Sequence, residues 1–466
     1  MTKSPSINKI TLYNILSTFF LQGINFLTAP IISRMLGTDS FGVVSVYVTW
    51  VSLVSIVFSL QTDSTIAVFK ISHSEKEQAK YESSILFLSI ASYVLLSAVV
   101  LILIRPISKL LELDYLIIVF LLLHGLGMYL TNFVVTKFTH EFKAKYNFII
   151  TVIISIITTG LSIFLIYLFP VTEKHWGRII GLSVPYVVFG VVAFAYIAFK
   201  GKSFFSKEAW KFCLPLCLPI VAHNISNLIL NHSDQIMIKA IKGDSPTGIY
   251  ALAYSFGTVI SILWSAFNSS WVPFYYKYSK EENYGLLIKK GRNYAELFTV
   301  LSIGFVLLTR EVYCVFASQD YWNGLNLIPI FAIGFYSMFM YSFPVNYEFY
   351  SKKTKNIAIG TVLSALINIA LNYLLIHLVG LLGAAIATAI CYFFQFIFHQ
   401  TSARIIERKK TKYPFSFKFF LPYFLVFILS IFAFYLFADF WRIRWAYALL
   451  IGTFELWRVF KRKSIY

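Results

Sequence analysis

His223, Asn227, Asn231 and Asp234 recur at i, i+4, i+8 and i+11. That spacing puts all four on one face of a helix. Asn224 and His232 flank the stripe. Amides, imidazoles and a carboxylate in line donate and accept hydrogen bonds, which is the chemistry a polyhydroxylated ligand requires. A second stripe, Asn14, Thr18, Asn25 and Thr28, has the spacing i, i+4, i+11 and i+14, and a third is Ser364, Asn368 and Asn372. Gln61-Thr62-Asp63 and Asn268-Ser269-Ser270 close two further apolar stretches. The residues expected to line a substrate cavity are therefore Asn14, Thr18, Asn25, Asp63, His223, Asn227, Asn231, Asp234, Asn268, Asn368 and Asn372. The alternative for any single Asn is interhelical glue, worth about 0.6 kcal/mol. Four polar groups in a row need more than one partner helix, so the 223–234 stripe reads as a lining.

Catalytic signatures are missing. The chain has no Gly-x4-Gly-Lys-Ser/Thr phosphate-binding loop, no His-Glu-x-x-His and no Gly-x-Ser-x-Gly. Cys213 and Cys217 stand among only four cysteines, without neighbouring histidines at zinc spacing. No catalytic residue, metal site or cofactor is assigned, and an enzyme is not expected.

The elements that must hold these stripes follow from composition. Of 466 residues 58% are apolar or aromatic and 13% charged, with a formal net charge of +19. Soluble domains run nearer 45–50% and about 25%. A nucleic-acid binder would be basic without being this apolar. The chain reads as an all-α polytopic membrane protein. Stretches of about 20 apolar residues, enough to cross roughly 30 Å of hydrocarbon, fall at 11–33, 41–62, 84–104, 115–136, 147–169, 177–199, 213–238, 247–272, 293–317, 323–346, 356–378, 380–402, 417–437 and 441–460. About fourteen transmembrane helices are expected. The first lacks the short apolar core and small-residue cleavage site of a signal peptide and reads as a retained helix.

Charge sets the direction. With the amino terminus in the cytoplasm, 30 of the 40 Lys and Arg fall in cytoplasmic segments and 10 in outer ones. This positive-inside bias places both termini in the cytoplasm. No outer loop is long enough to fold as a catalytic domain.

An internal repeat is visible. Gly37 and Gly42 after the first stretch, and Gly243 and Gly248 after the seventh, stand at an offset of 206 residues. Lys145-Tyr146-Asn147 and Thr354-Lys355-Asn356 echo each other too. Two parallel six-helix repeats, 1–200 and 201–403, are expected, followed by two C-terminal helices and a basic tail at 404–466. Such halves place a site between them near the midplane and work by rocking.

These residues carry a resemblance. Arg34-Met35-Leu36-Gly37 with Phe41-Gly42 resembles the turn after the first helix of bacterial polysaccharide-repeat (Wzx-type) flippases. Asp234 with Gly248-Ile249-Tyr250 is similar to their second-half pattern. The wider group is the multidrug/oligosaccharidyl-lipid/polysaccharide exporter superfamily. The resemblance implies a protein of the bacterial cytoplasmic (inner) membrane that moves an undecaprenyl-pyrophosphate-linked oligosaccharide between leaflets. Arg34, Lys70, Lys239 and Arg310, near helix ends, become candidates for the pyrophosphate. Membrane lipids, Na⁺ or H⁺ as coupling ion and other polysaccharide-assembly proteins are the implied partners, and nucleic acid is not. The alternatives are an ion-coupled multidrug exporter of the same superfamily and, from another class, a membrane polysaccharide polymerase or ligase.

Overall fold

The computed structural model describes residues 7–71, 73–407 and 412–462, with side chains from residue 23 onward except those of 25 and 462. Fifteen α-helices and three short 3-10 turns make up the described chain, and no strand occurs among the described residues. Long apolar runs leave the backbone no partner in lipid except itself, so helices are the only open solution.

Helix α1 (Ile7–Phe58) has 52 residues. At 1.5 Å per residue it is roughly 78 Å long, more than twice the hydrocarbon thickness. It is two spans joined at Gly37, where φ is 75° and ψ 172°, a region essentially closed to residues with a Cβ. Helix α8 (Lys207–Lys242) ends the same way, with Gly243 at φ 90° and ψ −174°, and α9 (Asp244–Lys280) follows at once. The two glycines that mark the repeat in the sequence thus share one unusual backbone conformation.

A second match lies further on. Helix α5 (Tyr115–His140) leads through a left-handed Phe142 into α6 (Ala144–Leu168). Helix α11 (Ile328–Tyr350) leads through a left-handed Lys352 into α12 (Thr354–Val379). Helices α7 (Lys174–Gly201) and α13 (Leu381–Glu407) come next.

The chain divides into two compact units, Met1–Gly248 and Ile249–Tyr466. The division falls after α8, later than the 200/201 boundary of the sequence segments. In the first unit α7 packs on α5 and α6, and α1 packs on α5, α6 and α8. Its core includes Ile32, Tyr47, Val51, Ile117, Leu121, Ile166 and Ile179. Between α1 and α3 (Glu75–Ile102) lie a 3-10 turn and the short α2 (Ile66–Lys70). The amphipathic α4 (Ile104–Leu111) precedes α5.

In the second unit α11 packs against α13, and α12 against α13. Helix α10 (Tyr284–Phe316) carries α14 (Phe417–Leu436) and α15 (Trp441–Arg462). Trp271, Tyr294, Phe298, Phe339, Phe343 and Phe415 form a buried aromatic core, with the Phe298 and Phe339 rings stacked at 4.2 Å.

Twelve helices among the described residues are long and apolar enough to cross a membrane. The difference from about fourteen has two sources. The expected span 11–33 falls largely where side chains are not described, and the first counted span begins at Phe26. The last, 441–460, is helical but bears Arg442, Arg444, Glu455 and Arg458. Two of its arginines pair with α10: Arg444 with Glu311 and Arg458 with Glu296. The paired positions are about 21 and 22 Å apart along their helices. Matched spacing in opposite chain directions staples α15 antiparallel to α10.

Candidate functional site

The polar positions read from the sequence sort into three places. The first is the broken end of α1. Helix geometry stops at Phe58, short of the expected residue 62, because Leu60 and Gln61 take left-handed backbone angles. The chain turns inward, and the hydroxyl of Thr62 meets Ser89 Oγ at 2.8 Å and Tyr129 Oη at 2.9 Å. Thr65 Oγ1 meets Tyr81 Oη at 2.7 Å and Cys213 Sγ at 3.5 Å. Asp63, between the spanning segments Phe26–Phe58 and Glu75–Ile102, accepts from Thr136 Oγ1 of α5 at 3.0 Å. Burial pushes its carboxyl above the usual value, and the Thr136 hydroxyl works against that shift. Asn224 Nδ2 of α8 donates to Gln61 Oε1. The knot therefore joins α1, α3, α5 and α8.

The second place is the α8 face. Asn227 Nδ2 lies 3.0 Å from a ring nitrogen of His223, and Asn231 Nδ2 donates to Asn227 O at 2.7 Å. Asp234 is 1% exposed, and its Oδ1 accepts from Gln235 N at 2.8 Å. The spacing i, i+4, i+8 does form a chain of contacts along one face. Asn14, Thr18 and Asn25 belong to α1, but their side chains lie outside the described residues.

The third place is in the second unit. Asn368 and Asn372 of α12 are fully buried, with Asn372 Nδ2 donating to Asn368 Oδ1 at 2.9 Å. Asn268 accepts from Asn346 Nδ2 at 3.2 Å.

The four cationic candidates differ in circumstance. Arg34 sits on an exposed face of α1. Lys70 Nζ donates to His140 O. Lys239, only 8% exposed, pairs with Asp244 at 2.6 Å. Arg310 pairs with Asp439 at 3.2 Å.

Sequence reasoning missed two buried charge sets. Lys137, counted among loop residues, lies within α5, 2% exposed, between Glu82 of α3 and Glu141. Lys143 joins Glu141 at 2.6 Å. Burial alone would raise the Glu141 carboxyl, but bonds from Lys137 and Lys143 hold it down to about 2. In the second unit Glu348 and His399 are paired. An expected span ending at 346 put Glu348 outside the membrane, whereas α11 runs on to Tyr350. The signal that would have found it is Tyr347 beside it, one turn beyond Phe343 and buried like it.

This arrangement defines a multi-pass helical membrane protein whose polar groups are gathered inside two helical units. The structure is similar to the lipid II flippase MurJ in an inward closed conformation, with a TM-score of 0.71 at 17% identity over 97% of this chain and 99% of that one. It is also similar to an inward-facing multidrug resistance MATE family transporter of the MOP superfamily, with a TM-score of 0.55 at 14% identity over 86% and 96%. Residues 7–279 match the polysaccharide biosynthesis protein family, and the chain belongs to it. The chain is 25% identical over 412 residues to an uncharacterized membrane protein of Methanocaldococcus jannaschii, covering 83% of this chain and 95% of the relative. It is 24% identical over 358 residues to the Lsg locus putative protein 1 of Haemophilus influenzae, covering 74% and 85%.

Proposed function

We infer that the protein carries an undecaprenyl-pyrophosphate-linked oligosaccharide repeat unit across the cytoplasmic membrane by alternating access, as a transport step in surface polysaccharide assembly. Membership of the polysaccharide biosynthesis family over residues 7–279 carries this reading. The chemistry of the site supports it. Sugars need many hydrogen-bonding groups, and His223, Asn227 and Asn231 offer them without fixed charge. The polyprenyl chain stays in lipid, which is its natural solvent.

The pyrophosphate is met near a membrane surface. Arg34 is the exposed cation among the four candidates. Both termini face the cytoplasm, as the distribution of Lys and Arg requires.

The test is a deletion strain. Loss of surface polysaccharide, restored by the gene in trans, is the expected result. Unchanged polysaccharide in the deletion overturns the reading. An ion-coupled multidrug exporter is the second reading, favoured by the fold it shares with a MATE family transporter. Altered drug resistance on overexpression, with polysaccharide intact in the deletion strain, would move the assignment there.

A further inference from the structure

The reading above leaves one buried titratable pair without a task. His399 Nδ1 of α13 lies 2.8 Å from Glu348 Oε2 of α11, and the two side chains are 2% and 0% exposed. The second carboxylate oxygen, Glu348 Oε1, is buried with no hydrogen-bond partner among the described residues. Ionisable groups inside spanning helices are costly, and an orphaned buried oxygen calls for an explanation.

The surroundings are nearly free of charge. On α11, Tyr341 faces the imidazole at 5.9 Å between ring centroids. On α13, the Phe398 ring stands edge-on to it at 5.2 Å. From the segment before α14, Tyr413 is within electrostatic reach of Glu348, Arg404 and Glu407. Arg404 is already committed, to Glu407 at 2.6 Å and to Tyr413 O at 3.1 Å. Helix α12 brings Gly360 against the ring, where an added Cβ would stand 2.8 Å from His399 Nε2.

We propose that Glu348 and His399 together form a proton-binding site in the second unit, loaded from the lysine-rich end of α11, which couples proton uptake to the transport cycle. The inference rests on the flippase reading for the cargo, but not for the site itself. Consider the charge states. With one proton on the pair beyond the neutral imidazole's own, the carboxylate and imidazole sum to zero. Without it, an uncompensated negative charge sits among aromatic rings, with Oε1 bare. The step forms one N–H or O–H bond on the pair and breaks one O–H bond of a hydronium ion, which leaves as water. Imidazole is the side chain that makes such a change between about pH 5 and 8.

Access is short on one side. Glu348 is two residues from the end of α11, and the turn that follows exposes Lys352, Lys353 and Lys355. Losing the proton would draw water to Oε1 and loosen the packing of α11 on α13. The first unit offers an instructive contrast. On α5, which leads into its next helix through the same kind of left-handed turn, Lys137 is held by Glu82 and Glu141. There one amine faces two carboxylates, whereas Glu348 has a single imidazole as its partner.

The test is an infrared pH titration of the full-length protein in liposomes, with the proton as the probe. Wild type is expected to show carboxyl and imidazole bands that change between pH 5 and 9 and vanish in both Glu348→Gln and His399→Gln. Gly360→Ala keeps both groups but crowds Nε2, and should shift the midpoint by at least threefold in proton concentration. Identical titrations in wild type and all three variants overturn the proposal. If Glu348→Gln does not accumulate, the Gly360→Ala titration decides alone. Surface polysaccharide in the complemented deletion strain separates the two claims. A titrating pair in a strain whose polysaccharide never depended on the gene sinks the cargo reading only. Full restoration by Glu348→Gln, with wild-type pH dependence and no lost band, sinks the proton site only.

Discussion

Gly42 and Gly248 face one another at a helix crossing inside the first unit, and neither leaves room for a single added carbon. A Cβ on Gly42 would lie 2.0 Å from Asp244 O, and one on Gly248 would lie 2.0 Å from Thr38 O. The contact is reciprocal, as expected of two turns related by a repeat. Ser245 Oγ and Thr38 Oγ1, 2.8 Å apart, close it.

Gly42→Ala or Gly248→Ala should therefore force the backbones apart. Overpacking of this kind costs about 1–3 kcal/mol. Melting of the detergent-solubilised protein should drop by several degrees for either variant. Gly23→Ala, with nothing within 4 Å of an added Cβ, should match wild type. Equal melting of all three would show that the crossing is soft.

Thr62→Val should leave Tyr129 and Ser89 with a lost partner inside the knot. Those two hydroxyls still hold each other at 2.6 Å, so the loss is that of hydrogen bonds, about 0.5–1.5 kcal/mol each. Thermal stability should fall by that order, and a double substitution with Ser89→Ala should cost less than the sum. Additive losses would mean that the hydroxyls do not act as one network.

Two carboxylates should give opposite pH effects. Asp63 is raised by burial, so its folded form prefers the proton. Stability is then lost as pH rises from the unfolded value through the folded one, and Asp63→Asn should melt higher than wild type at neutral pH. Glu141 is held down to about 2, from an ordinary 4.5. Its contribution is present above the ordinary value and lost as pH falls toward 2, so Glu141→Gln should melt lower than wild type at pH 7, with the gap closing in acid. Melting curves from pH 3 to 8 check both signs.

Asp234→Ala and Asn231→Leu should each abolish restoration of surface polysaccharide while the protein accumulates in the membrane. Normal polysaccharide in both strains would return the α8 face to a packing role.

Arg444→Leu should be far more damaging than Arg458→Leu. Arg444 is 1% exposed and also bonds Leu307 O at 2.7 Å, whereas the Arg458 side chain is 31% exposed. Removing one member of a buried pair costs about 3–5 kcal/mol, and an exposed one about 0–1 kcal/mol. Similar membrane accumulation of the two variants would show that α15 does not need its inner staple.

The sequence by itself determined the solvent and the secondary structure of this protein. Apolar runs of span length admit only helices in lipid, and the paired Gly37 and Gly243 turns were legible because the backbone they adopt excludes every other residue. Periodicity also placed His223, Asn227 and Asn231 on one face, since helical spacing is a local property. Tertiary structure decided what local pattern cannot contain. Whether α1 is one helix or two depended on a bend, and whether α15 tolerates its arginines depended on glutamates more than a hundred residues away. Lys137 and Glu348 sit at helix ends, where a shift of a few residues turns a solvated charge into a buried one. Only packing between helices fixes that depth, so their partners became visible only when the chain was folded.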